Sequence, residues 1–178
     1  MRALALAVAI AVLPLPLAAG NGVLRQDPAL TKIEIGSFCQ VRSIDSVEAP
    51  DTYAQRVDLL EITPEIRWPG PVVPLLPGLS FGIRSETGGV LIEDVTIELS
   101  HPAFLGSGMT HQSYVTTLGG SDASINAYSF DVPEEMVTGT WTFRASTPGG
   151  TLYEVRFEVV PPGMLPEVGR DCGKDFIS

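Results

Sequence analysis

Gly139-Thr140-Trp141-Thr142-Phe143, the cluster Pro148-Gly149-Gly150, and Tyr153-Glu154-Val155-Arg156-Phe157-Glu158-Val159-Val160 decide the fold. In the last of these runs Val155, Phe157 and Val159 face one way and Glu154, Arg156 and Glu158 the other. That period of two is the signature of a strand with one buried face. In the first run Trp141 and Phe143 alternate with threonines in the same manner. A Pro-Gly-Gly cluster between two such runs reverses the chain tightly, so the segment predicts a closing hairpin. Trp141, Phe143 and Phe157 are then expected in a core.

Upstream the same alternation recurs. Ile33 and Ile35 alternate with Lys32 and Glu34, and Val57 and Leu59 with Arg56 and Asp58 inside Gln55–Thr63. Leu79, Phe81 and Ile83 precede the turn Glu86-Thr87-Gly88-Gly89, and Val95, Ile97 and Leu99 share one face. Tyr114–Leu118, Ile125–Val132 and Thr140–Ala145 follow. The proline-rich stretch from Arg67 to Gly78 must be an extended loop or an edge, because proline cannot donate to a ladder. No window past residue 20 carries a helical apolar stripe. About eight strands, each with one apolar face, predict two antiparallel sheets packed face to face. An immunoglobulin-like sandwich of 7–9 strands over residues 31–160 is the first expectation, and a small closed barrel the second.

Composition agrees. Among 178 residues, 18 Gly and 15 Pro disfavour helix interiors, and 44% hydrophobic content excludes a disordered acidic tail. The 11 bases against 21 acids argue against nucleic acid, since phosphate binding needs clustered Lys and Arg.

Residues 1–20 read as an address. Met1-Arg2, the apolar run Ala3–Leu13 and the small residues Ala18-Ala19-Gly20 describe a secretory signal peptide cleaved near Gly20. The run is too short to span a bilayer, and no later one is long enough. Removal leaves 10 bases against 21 acids, a net charge of −11. A periplasmic or secreted compartment is therefore expected, and it is oxidising. Cys39 and Cys172, without C-x-x-C spacing, then predict one structural disulfide. A bridge over that much chain stabilises by about 5 kcal/mol in the chain-entropy model. Residues 21–30 have no period and read as a leader, and 161–178 as a C-terminal tail pinned by Cys172.

Three stretches carry a resemblance. Leu79-Ser80-Phe81-Gly82-Ile83 after the proline-rich approach, Ser100-His101-Pro102, and Gly139-Thr140-Trp141-Thr142-Phe143 with Phe157-Glu158-Val159 resemble a bacterial secreted family. That family is a domain of unknown function, number thirty-eight fifty-nine. The likeness covers roughly Ile33 to Val160. It implies a small all-β domain with no established activity, and it brings no catalytic residues to carry over. The cysteine pair and the tail after Pro161 lie outside its pattern.

Each catalytic-looking motif has a structural reading beside it. Gly78-Leu79-Ser80-Phe81-Gly82 matches the nucleophile elbow G-x-S-x-G, but a strand and a turn follow it rather than the required helix. His101 and His111, with Glu93 or Asp94, supply metal-ligand types at a spacing that matches no ligand pattern. Glu93-Asp94 and Glu134-Glu135 could pose as a glycosidase pair, and are expected as solvated strand ends and turns. Gly119-Gly120-Ser121-Asp122 offers too few oxygens for calcium. Trp68, in the proline-rich stretch, could stack on a sugar, anchor a partner or plug one end of the sandwich. Tyr114 and Tyr53 are weaker cases of the same kind.

No cofactor, catalytic residue or metal site is expected. The leading functional expectation is a non-enzymatic module that binds a protein or envelope component. The alternatives are an enzyme or metal-dependent site around His101 and His111, and a carbohydrate-binding module using Trp68.

Overall fold

A computed structural model of the protein describes residues 21–172, so the expected signal peptide lies outside the described residues. The chain is all-β. Its strands are β1 (Val23–Gln26), β2 (Lys32–Cys39), β3 (Ser43–Glu48), β4 (Arg56–Leu60), β5 (Trp68–Pro69), β6 (Val72–Pro74), β7 (Leu79–Glu86), β8 (Leu91–Ser100), β9 (His111–Gly119), β10 (Ser124–Ser129), β11 (Gly139–Thr147) and β12 (Gly150–Val160). A single 3-10 turn, Pro133–Glu135, separates β10 from β11.

One sheet runs β1-β12-β11-β8-β9, with β6 parallel to the far end of β12. The other runs β10-β7-β2-β5. Leaving aside the short β5 and β6, eight strands build these two sheets, within the 7–9 expected. The strands β3 and β4 form a separate two-stranded sheet.

The expected hairpin is β11 and β12, in register with Trp141 opposite Phe157 and Phe143 opposite Val155. Trp141 and Phe157 are fully buried and Phe143 nearly so. Phe81, from the centre of the facing sheet, meets all three edge-on at ring-centroid distances of 5.5, 5.2 and 5.8 Å. Edge-to-face packing sets the positive ring edge against the negative face, adding about 0.5–1.5 kcal/mol per pair beyond area burial.

The proline-rich stretch alternates between short edge strands and loop. Trp68 and Pro69 pair with Ser37 and Gly36 of β2, after which the chain crosses sheets and β6 joins β12. Gly36 admits this edge, since a Cβ there would collide with the carbonyl oxygen of Trp68.

Two strands escape the sequence reading. The segment read as a leader carries β1, paired with β12 from Val23 to Gln26. Its residues are mostly exposed, so backbone pairing rather than an apolar period holds it. The whole of β3 is exposed and has no period either. Cys39 and Cys172 are bonded, with Cα atoms 5.1 Å apart, joining the end of β2 to the C-terminal segment. That segment lays buried Val168 against the core.

Candidate functional site

The strands β9 and β10 follow each other in the chain, yet belong to different sheets. Positive φ angles at Gly119 (84°) and Gly120 (95°) turn the chain between them. The sandwich is therefore unzipped along this side, and the β3–β4 hairpin lies over the opening. Three hydrogen bonds tether it. Ser113 N donates to Asp51 O at 3.1 Å, Tyr53 N to Gln112 Oε1 at 2.7 Å, and Thr63 Oγ1 to Ala123 O at 2.9 Å. Between hairpin and sandwich is a cavity of about 300 Å³.

Its walls are nearly as polar as apolar, the apolar part coming from residues such as Leu60 on the hairpin side and Ile97, Leu99 and Phe143 on the core side. The polar lining includes Gln112, Tyr114 and Thr116 on β9 and Asn126, Tyr128 and Ser129 on β10, with Gln40, Thr52, Thr63 and Ser80 from other elements. Asn126 and Tyr128 pair with Ile83 and Phe81, so both face inward. Tyr114 donates its hydroxyl to Asn126 Oδ1 at 3.1 Å. Asn126 Nδ2 and the Tyr128 hydroxyl are buried without a hydrogen bond. Tyr128 lies near Gln112 and Glu135, and Tyr153 near Asn126, but neither hydroxyl reaches bonding geometry. Burial pushes the phenols of Tyr114 and Tyr128 well up, so both stay protonated. The charged lining residues are Arg56, ion-paired to Asp58 at 3.4 Å, and Asp131, which accepts from Gln40 Nε2 at 2.7 Å.

One end of this polar line is His101. Its Nδ1 lies 2.8 Å from Pro102 O, a carbonyl that can only accept, so Nδ1 carries the proton. The bare Nε2 accepts from Gln112 Nε2 at 3.1 Å. The ring is stacked between Phe104 and Trp141, at centroid distances of 3.9 and 4.8 Å. Burial lowers its pKa, partly offset by the Pro102 hydrogen bond. By contrast, His111 is exposed on the outer face beside Ser100, its register partner. The two imidazoles thus serve opposite sides of one sheet. Among the described residues no cluster of three or more His, Cys, Asp or Glu could hold a metal ion.

The other sequence candidates fall elsewhere. Ser80 lies on central strand β7 and shares a 2.6 Å hydrogen bond with Ser129, with no elbow and no helix. Asp94, at φ 53°, sits in the β8 irregularity between Ile92 and Val95, with Glu93 exposed beside it. Glu134 is exposed, but Glu135, expected to be solvated, is buried. Its carboxylate accepts from the backbone N–H of Asp131 at 3.0 Å and Val132 at 3.4 Å, closing the 3-10 turn. Trp68 is half-buried at the sheet edge with the Arg67 guanidinium 4.6 Å above its ring. Tyr53 packs edge-on against Phe104. Of Trp68, Tyr53 and Tyr114, the aromatics the sequence offered as ligand contacts, only Tyr114 lines the cavity. Asn126 and Tyr128 were legible in one respect, being polar groups at the inward parity of the predicted strand Ile125–Val132.

The sequence matches the profile of a family described as Domain of unknown function (DUF3859) over residues 26–159, and the chain belongs to that family. No curated protein matches it. In structure it is similar to an immunoglobulin-like protein from Pseudomonas aeruginosa, with a TM-score of 0.50 and 22% identity over 80% of this chain and 99% of that one. At that identity the likeness is one of fold alone.

Proposed function

We propose that this member of the family is an exported, non-enzymatic module that binds a protein of the cell envelope by strand addition to β3. The observation that carries this reading is the exposure of all six residues of β3, paired on one side only, with β4. A free strand edge offers unpaired N–H and C=O groups that an extended segment can complete. Ile44 and Val47, 64% and 47% exposed, would bury apolar side chains of that segment. From Arg42 to Glu61 two bases stand against Asp45, Glu48, Asp51, Asp58 and Glu61. The complementary segment is therefore apolar and basic. Export is supported by the disulfide, which persists in oxidising compartments, and by the signal-like start of the chain.

The test uses the mature protein with a photocrosslinker at Ser46, mixed with periplasmic extract. The wild type is expected to capture a reproducible partner, and Ile44→Lys/Val47→Lys to lose it, because edge lysines block strand addition. Equal capture by both proteins, or none by either, counts against the reading.

A further inference from the structure

We propose that His101 and Gln112 form a latch that holds the tip of the β3–β4 hairpin on the sandwich and releases it when the imidazole takes a second proton. The latch concerns how the hairpin sits on the sandwich, and it stands whether or not β3 receives a partner strand.

The latch is a line of hydrogen bonds with one polarity. At one end the backbone N–H of Tyr53, in the hairpin tip, can only donate, and it donates to Gln112 Oε1 at 2.7 Å. The other end is Pro102 O, which can only accept and takes the Nδ1 proton of His101 at 2.8 Å. With both ends fixed, Gln112 Nε2 must donate to the bare His101 Nε2, 3.1 Å away. A proton on that nitrogen sets a donor against a donor. The faces of Phe104 and Trp141, stacked on the ring, hold it in place as a cation, so Gln112 has to give. Turning its amide over satisfies the charged N–H, the costlier of the two to leave unmet, and sets an NH2 group against the Tyr53 N–H. The bond lost is therefore the tether. Gln112 and His101 are 4% and 7% exposed, so water does not replace it.

The hairpin is lightly moored otherwise. Ser113 N donates to Asp51 O, Thr63 Oγ1 donates to Ala123 O, and Tyr53 packs edge-on against Phe104. Its strands join neither sandwich sheet, and a two-stranded hairpin alone is barely stable in water.

The titratable groups around the imidazole come from several elements. His111 on β9 disfavours a second cation, and Tyr53 lies at the hairpin tip beside exposed Asp51. Tyr128 approaches from β10, with Glu135 and Asp131 beyond it, and β11 presents Trp141. Neither ring nitrogen meets a carboxylate. Burial foremost, offset in part by the Pro102 bond, keeps the ring neutral and the latch closed at neutral pH.

Hydrogen–deuterium exchange of the disulfide-intact chain at pH 7 and pH 5, corrected for the pH dependence of chemical exchange, is the test. Protection of residues 43–60 is expected to fall about tenfold at pH 5, as one buried hydrogen bond left unmade would give, while β11 and β12 stay protected. His101→Phe keeps an aromatic ring between Phe104 and Trp141 but takes no proton, so its hairpin should be equally protected at both values. Gln112→Glu offers an acceptor to both neighbours, so its hairpin should be better protected at pH 5. If Gln112→Glu fails to fold, His101→Phe carries the test. Equal wild-type protection at both values would overturn the proposal, as would loss of protection in β11 and β12 along with the hairpin. So would a wild-type response in His101→Phe, or one of wild-type sign in folded Gln112→Glu.

Discussion

The Tyr114 hydroxyl on β9 donates to Asn126 Oδ1 on β10 across 3.1 Å, tying the two sheets together on the side where no ladder joins them. Tyr114→Phe keeps the ring and removes the strap, leaving a buried carbonyl oxygen without its donor. Destabilisation by about 1–3 kcal/mol is expected, read as a lower urea midpoint at unchanged slope. An unchanged midpoint would mean that the strap does not hold the opening.

Acid should act through His101. Its folded pKa is lowered, so as pH falls the unfolded chain takes the proton first. The stability that neutral His101 contributes is full above the ordinary histidine value of about 6.5 and is lost as pH drops from there toward the folded value. Protonation would also destroy the acceptor for Gln112. Glu135 works in the opposite sense, because burial raises its pKa and the folded state takes that proton first. The readout is therefore a difference. Urea stability measured from pH 7 to 5 should fall less in His101→Phe than in the wild type, and parallel curves would refute the assignment.

Gly82 should tolerate no side chain. A Cβ there would sit on the Asn126 carbonyl oxygen and within 2.5 Å of Ala127 Cα, prying β10 from β7. Gly82→Ala is expected to destabilise by about 1–3 kcal/mol, the range for overpacking. Thermal unfolding decides it, and an unchanged melting temperature would show that β10 yields freely.

Removing the Cys39–Cys172 bond should lower stability by about 2–5 kcal/mol. Cys39→Ser/Cys172→Ser and the reduced wild type should unfold at the same urea concentration. A reductant that leaves the wild-type midpoint in place would contradict this.

The sandwich was legible where side chains alternate against a core. Trp141, Phe143 and Phe157 are buried as their parity requires, and of the prolines between Arg67 and Gly78, Pro69 and Pro74 sit on edge strands while Pro71 and Pro77 lie in a bend and a turn. Strands β1 and β3 were not legible, because their exposed residues leave no hydrophobic period and their order comes from backbone pairing. Glu135 escaped for a related reason. Whether a carboxylate is wet or buried depends on a turn that folds its own backbone N–H groups onto it. The cavity could not be read at all as a site, because Leu60, Leu99, Asn126 and Phe143 meet only once three separate sheets are in place.

The bridge from Cys39 to Cys172 spans 133 residues, and every strand from β3 to β12 lies between its sulfurs. Synthesis runs from the N-terminus, so Cys172 arrives only after the residues of all those strands. The covalent link therefore closes a single loop around ten strands, β3 to β12.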